Sequence, residues 1–300
     1  MNPWERTKLW SELLSQVRSF FLKRGFTEVV TPVLAPWHNL DPNIKPIKVE
    51  NGLYLQASPE FFMKKLLIFG AKRIFQIAHA FRDDPVDDLH TKEFLILEWY
   101  RVGEDIRAIK RDVEDLVSEV LGRYPPPWDS ISLRELFKER LDINLEEAKD
   151  KETLLRKIKK AGLKVKDSYS WEELFEAAFL NEIDPYLPKD RAFWLVDYPY
   201  PLAASSKCDG FWSTRCEAYV EGVELANGYV ELDDPEEQKK RWISRGRESE
   251  IDWEYLELLE SKGLPPSSGI ALGLERLLML KCRKSSIHEI LPFSPLTKRG

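Results

Sequence analysis

Ser267-Ser268-Gly269-Ile270-Ala271-Leu272-Gly273-Leu274-Glu275-Arg276-Leu277-Leu278-Met279-Leu280 is the stretch on which the reading of this chain turns. From Gly269 to Lys281 it reads as a strand running into a helix. Small residues before a helix let another backbone or a ligand come close. Arg276 then sits in the first turns of that helix amid apolar neighbours, and an arginine buried there needs an anion. The commoner fate of such a residue is an internal salt bridge, to Glu275 or elsewhere, and both readings stand.

Working outward, two further segments set charge beside strand-like sequence. Ile74 to Phe81 and Phe94 to Tyr100 are apolar runs joined by the acidic, turn-prone Asp83-Asp84-Pro85-Val86-Asp87-Asp88. They read as two antiparallel strands with a long connection. Arg82 leaving one strand and Phe94 entering the next are suited to flank a flat anion, through paired guanidinium donors and an aromatic face. The alternative is an acidic surface hairpin with a structural arginine. Ala218–Leu232 also has strand character and carries Glu221, Glu224 and Glu231. Carboxylates so dense in a partly apolar strand call for Mg²⁺, an ammonium group or arginine, unless the strand is a solvated edge. The Asn227-Gly228 pair is a candidate bend that would break the strand's parity.

Elsewhere, residues 4–23 pattern as an amphipathic helix with Trp10, Leu13, Leu14, Val17, Phe20 and Phe21 on one face, stopped by Gly25. Thr27–Thr31 follows as a strand, ended by Pro32. Ser58-Pro59-Glu60 is a helix start, with serine at the cap and proline in the first turn. Ile106 to Val120 marks another amphipathic helix. From Pro125-Pro126-Pro127 to about residue 190 short helices prevail, including Leu133–Arg140 and Trp171–Ile183, and polar helices return near 235–261. The expected architecture is therefore α+β, an antiparallel β-sheet flanked by helices with an inserted helical lobe over about 125–190.

Composition bounds the function. The chain has 300 residues, 43% of them hydrophobic, with ten Trp, ten Tyr and fifteen Phe, ample for a core. Its net charge of −6, from 45 basic and 51 acidic side chains, argues against a protein held to polynucleotide by phosphate contacts. Cys208, Cys216 and Cys282 form no CxxC pair, which makes a disulfide framework or zinc site a poor expectation. No apolar signal core or membrane-length run is seen, so the expected location is cytoplasmic.

Gly25-Phe26-Thr27-Glu28-Val29-Val30-Thr31-Pro32 resembles motif 1 of the class II aminoacyl-tRNA synthetases, a dimer-interface element. Phe81-Arg82 to Glu93-Phe94 resembles motif 2, and Gly269 to Leu280 resembles motif 3. Each is short and degenerate alone, but their order and spacing span nearly the whole chain. Ala57-Ser58-Pro59-Glu60 with Lys64-Lys65-Leu66, and Glu224-Leu225-Ala226-Asn227-Gly228-Tyr229-Val230-Glu231, are similar to the lysyl-tRNA synthetase group. Glu98-Trp99-Tyr100-Arg101, Glu224–Gly228 and Ala271 are most similar to its truncated branch, the elongation factor P lysine ligases.

The resemblance implies a single class II catalytic domain over 1–300 without an anticodon-binding domain, and a homodimer. It implies ATP and Mg²⁺ as cofactors and aminoacyl-adenylate formation as the reaction. Arg82 would clamp the α-phosphate and Arg276 the distal phosphates, with His90 and Thr91 near the phosphates. Phe94 would stack on adenine, Asp83 and Asp84 would lie at its edge, and Gly273 would admit the nucleotide. Glu224, with Leu225 beside it, would hold Mg²⁺. Ser58, Pro59, Glu60, Glu98, Tyr100, Asn227, Glu231 and Ala271 would form the amino-acid pocket. Glu231 would take the side-chain ammonium and Glu60 the other amine. Three carboxylates suit a diamino acid, lysine or (R)-β-lysine, and Ala271 adds a methyl that favours the β-isomer. The implied acceptor is a lysine amine of elongation factor P. With no basic stripe or RNA-reading motif in the chain, tRNA is the poorer acceptor. Asp84 in place of the usual glutamate, and Thr91-Lys92 in place of Asn-Pro, depart from the family, and residues 184–217 are assigned no role.

Overall fold

The computed structural model describes residues 1–41 and 44–294. Along the chain, helix α1 (Pro3–Lys23) begins at Asn2, whose side chain accepts from the Glu5 N–H in a reciprocal capping box. It ends where Gly25 turns into the left-handed region at φ +76°. Strands β1 (Thr27–Glu28), β2 (Leu34–Ala35), β3 (Ile47–Lys48) and β4 (Tyr54–Leu55) precede helix α2 (Glu60–Ile68). Strands β5 (Arg73–Phe81) and β6 (Glu93–Val102) follow, then α3 (Ile106–Leu121), capped by Asp105 and closed by Gly122 at φ +69°. Next come β7 (Asp129–Ser132), α4 (Leu133–Leu141), α5 (Lys151–Lys160) and α6 (Trp171–Ala178). Strands β8 (Ala192–Val196), β9 (Tyr198–Pro199), β10 (Cys208–Asp209), β11 (Trp212–Ser213), β12 (Cys216–Val220) and β13 (Val223–Val230) lead to α7 (Pro235–Ile243) and α8 (Trp253–Lys262). Strand β14 (Ser267–Gly273) passes directly into α9 (Leu274–Lys281).

The chain divides into two compact units, Met1–Pro127 with Val230–Gly300, and Trp128–Tyr229. In the first, the strand order is β1-β5-β6-β14. The expected antiparallel pairing holds for β5 with β6 and for β6 with β14, whereas β1 joins β5 in parallel. The strand expected over Thr27–Thr31 is only two residues long. Beyond it Val29 gives its N–H to Phe75, and Val30 is 92% exposed. The second unit has the order β13-β12-β8-β7, with β7 parallel to β8. Its core gathers Phe137, Leu154, Ile158, Trp171, Phe175, Phe193 and Leu195 from α4, α5, α6 and β8.

Period-two alternation sorts β6 into two faces. Leu97 and Trp99 are fully buried on one of them. There Phe21 of α1 stacks on Phe75 at 4.8 Å and lies 5.0 Å from Trp99. On the same parity, Arg101 and the Trp99 indole both donate to Asp112 of α3, tying that helix to the sheet. The other parity runs Phe94, Ile96, Glu98, Tyr100, flanked by Ala80, Ala78, Gln76 and Ile74 on β5 and by Gly273, Ala271 and Gly269 on β14. That face is lined with small residues, and its far end is closed by α2, α7 and α8 through Phe61, Trp242 and Tyr255.

Candidate active site

The small-residue face of β5, β6 and β14 carries the candidate chemistry of the first unit. Glu98 is 2% exposed, sits opposite Ala271 and accepts hydrogen bonds from the Ser58 hydroxyl at 2.6 Å and the Tyr100 hydroxyl at 2.5 Å. Burial foremost, and then the Glu60 carboxylate, push its carboxyl up to about 7. The Ser58 hydroxyl in turn accepts from the Glu60 N–H at 3.0 Å. It thus does a cap's work, although α2 starts at Glu60 and Pro59 precedes its first residue.

Glu60 and Glu231 are held together by Lys64, one helical turn after Glu60. Its ammonium lies 2.6 Å from Glu60 Oε1 and 2.5 Å from Glu231 Oε2, with no exposed surface. The second Glu60 oxygen accepts from Asn39 Nδ2 at 3.0 Å. Burial, with Glu60 and Glu98 nearby, raises the Glu231 carboxyl against the opposing pull of Lys64. Three carboxylates from sequence positions 60, 98 and 231 therefore form one buried cluster. Gly269, opposite Tyr100, is the residue that leaves room for it. A Cβ there would lie 2.2 Å from the Tyr100 ring and 2.6 Å from Glu231 Oε1.

At the other end of the same face, Arg82 leaves β5 with its N–H donating to Lys92 O at 3.0 Å, and its guanidinium stands 5.2 Å from the Phe94 ring centroid. Asp83 pairs with Lys92, which holds its carboxyl below the usual range, and Asp84 is half-buried beside it. Thr91 is half-buried between His90 and that lysine. The loop folds back on Asp87. Its carboxylate accepts the Leu89 and His90 N–H groups at 2.8 Å and meets His90 Nδ1 at 2.9 Å. With Nδ1 carrying the proton toward Asp87, His90 Nε2 is free to accept, and Arg276 Nη2 lies 2.9 Å from it.

Arg276 therefore reaches the loop between β5 and β6. The anticipated pairing partner, Glu275, turns the opposite way and accepts the Leu95 N–H at 2.9 Å. Glu275 is pushed up to about 7, chiefly by burial. Gly273 caps α9, and a Cβ there would meet only the Arg276 side chain, at 3.8 and 3.9 Å, leaving the surface above it open.

In the second unit, Glu224, Leu225 and Asn227 lie on β13. The chain reverses not at Asn227-Gly228 but at Glu221-Gly222, both at positive φ (+54° and +79°), a two-residue hairpin turn. Parity breaks at Leu225, where Ala218 faces Ala226 but Tyr219 faces Glu224. Asn227 lies opposite Glu217, a buried carboxylate gripped by Arg215 at 2.7 Å. Burial and then Glu224 hold Glu217 above the usual carboxylate range. Sequence reasoning passed over both Glu217 and Lys64. Each had a signal, a carboxylate amid Cys216–Val220 and a lysine four residues after a pocket glutamate on one helix.

Motif order, sheet and site together define a class II synthetase catalytic fold, and the chain belongs to that family, described as tRNA synthetases class II (D, K and N), which it matches over residues 4–297. It is an ATP-dependent ligase of the aminoacyl-tRNA-synthetase-like kind. Within that class it is similar to an elongation factor P–(R)-β-lysine ligase homolog of Aquifex aeolicus, 35% identical over 93% of this chain and 96% of the relative. It is also similar to elongation factor P–(R)-β-lysine ligases of Haemophilus influenzae (31% identical, 95% and 93% covered) and Buchnera aphidicola (33%, 95% and 94%). Among the described residues no helix is long and apolar enough to cross a membrane.

Proposed function

We propose that this ligase activates a diamino acid, (R)-β-lysine or lysine, as its adenylate and transfers the acyl group to a lysine ε-amine of elongation factor P. The observation that carries this reading is the buried cluster of Glu60, Glu98 and Glu231. Carboxylates gathered in a dry pocket favour a multiply cationic ligand and disfavour aspartate or asparagine. The acceptor follows the relatives' names, supported by similarity along almost the full length of both chains.

The residues fit a nucleotide. Phe94 offers a ring face with Arg82 beside it, Ala78, Ala80 and Ala271 leave the sheet surface low, and the surface above Gly273 is open. In the first half-reaction a substrate carboxylate oxygen attacks the α-phosphorus of ATP and the bond to pyrophosphate breaks. Arg82 would offset charge at the α-phosphate and Arg276 at the departing pyrophosphate. Positioning supplies most of the acceleration, since the protein forms no covalent bond itself. Glu224 is the residue proposed to hold Mg²⁺, an ion bound through one or two carboxylates that supplies neutralisation of anionic charge. In the second half-reaction the acceptor amine, as the free base, attacks the acyl carbonyl and AMP leaves, the amine's surplus proton passing to solvent.

A second copy of the chain would pair through the segment after β1, where Val30, Val33 and Leu34 are exposed. ATP–pyrophosphate exchange with lysine, (R)-β-lysine and aspartate in parallel tests the substrate. Exchange with either lysine isomer is expected, exchange only with aspartate would overturn the pocket, and none would indicate a non-catalytic paralogue. Labelled substrate offered elongation factor P or tRNA then identifies the acceptor, and label in tRNA alone would overturn that half of the proposal.

A further inference from the structure

We infer that Lys64 is a specificity-determining positioning residue, a built-in counter-ion that bridges Glu60 and Glu231, fixes where their carboxyl groups point and leaves the three-carboxylate pocket a balance of two negative charges for the substrate's two ammonium groups. The inference rests on the diamino-acid reading of the same pocket. Geometry carries it: one fully buried ammonium touches both carboxylates, at 2.6 and 2.5 Å, and lies on the helix that begins with Glu60. A carboxylate has about four lone-pair directions, so each can take Lys64 and still accept from a ligand. Asn39 on the second oxygen of Glu60 shows that such double use is sterically accommodated.

Charge counting decides the role. Glu60, Glu98 and Glu231 bring three negative charges when ionised, and Lys64 removes one. A substrate with a single amine would leave a surplus buried carboxylate, and one with two amines leaves none. Among the described residues, the other ionisable groups beside the cluster are neutral or engaged elsewhere. Lys65, on the same helix, is taken up by Asp252 and Glu254 at the start of α8. Tyr255 of α8 is held well above its ordinary range, burial being the main cause, and stays neutral. Tyr100 donates to Glu98. Burial raises both Glu98, to about 7, and Glu231, to about 8, so a bound dication favours the loss of a proton from each.

K64M separates this role from simple packing. Without the ammonium, Glu60 and Glu231 lose their common anchor and the cluster holds a third carboxyl group that a substrate with two amines cannot pair. In ATP–pyrophosphate exchange, KM for the diamino acid should rise roughly a hundredfold with kcat far less affected, as for loss of one partner of a buried pair. K64R, which keeps the charge, should recover most of that rise, whereas a packing role would be served better by methionine. An unaltered KM in folded K64M would overturn the inference. If K64M fails to fold, K64R and K64Q are compared in its place, and equal KM values for the two would refute the role of the charge. Absence of exchange by the unsubstituted enzyme with either isomer would instead overturn the diamino-acid reading itself.

Discussion

Gly269→Ala tests how tightly the pocket is built. The added methyl would fall 2.2 Å from Tyr100 Cε1, 2.5 Å from Cδ1 and 2.6 Å from Glu231 Oε1. Carbon atoms sit at about 3.5–4.0 Å in ordinary contact, so the ring must withdraw by more than about 1 Å, and the Glu231 carboxylate must move nearly as far. Neither has an easy retreat, because Tyr100 is 2% exposed, its hydroxyl donates to Glu98, and Glu231 is tied to Lys64. Overpacking of this kind costs about 1–3 kcal/mol of stability. The effect on activity should be larger. The displaced groups are those proposed to seat the substrate's amines, and a misplacement of about 1 Å costs on the order of a hundredfold in rate. The assay is ATP–pyrophosphate exchange with the preferred diamino acid, alongside Tm. The expected result is a kcat/KM lowered by about two orders of magnitude in a protein that still unfolds cooperatively. Wild-type kcat/KM in G269A would refute the packing argument and with it the placement of the substrate against Gly269.

Other outcomes follow from the same geometry. Glu98, raised to about 7, and Glu231, raised to about 8, gain negative charge as pH climbs through neutrality, so KM for the diamino acid should fall from pH 6 to pH 8, and E98Q should make that fall shallower and move it toward higher pH. The sign for folding is opposite: stability from the raised Glu98 is complete below the ordinary carboxylate range and declines as pH rises through about 7. Arg276→Lys should keep the charge but lose the fork that meets His90 and the proposed distal phosphates, raising KM for ATP about tenfold or more in exchange kinetics, with the diamino-acid KM little changed. Val30→Lys, at a 92% exposed position, should leave Tm within a few degrees yet shift sedimentation from the proposed dimer to monomer.

What could be read from sequence depended on how local its cause was. The passage from strand to helix at Gly273 is written in adjacent residues, and β14 and α9 meet there. The long acidic connection between β5 and β6 was legible for the same reason. The hairpin before Glu224 was not, because Asn227-Gly228 is the stronger turn signal by residue type. The structure keeps that pair within β13 and forces Glu221 to φ +54° instead. Lys64 is visible in sequence only as part of a family marker, with no role of its own, because its meaning depends on Glu231, 167 residues further along, and no periodicity carries such a partnership. The three pocket carboxylates were legible only through family resemblance. Their convergence is set by the pairing of β6 with β14 and the closure of α2 over the sheet.

The two-faced character of β6 has a consequence for how this enzyme can change. Leu97 and Trp99 answer to the aromatic core and Arg101 to the anchoring of α3, while Ile96, Glu98 and Tyr100 answer to the pocket on the opposite face. Adjacent codons are thus under unrelated selection. Substituting each position in turn should give an alternating record, odd residues losing protein and even residues losing turnover. A lineage can redesign its substrate through every second residue of this strand while the scaffold, one residue away, stays as it was.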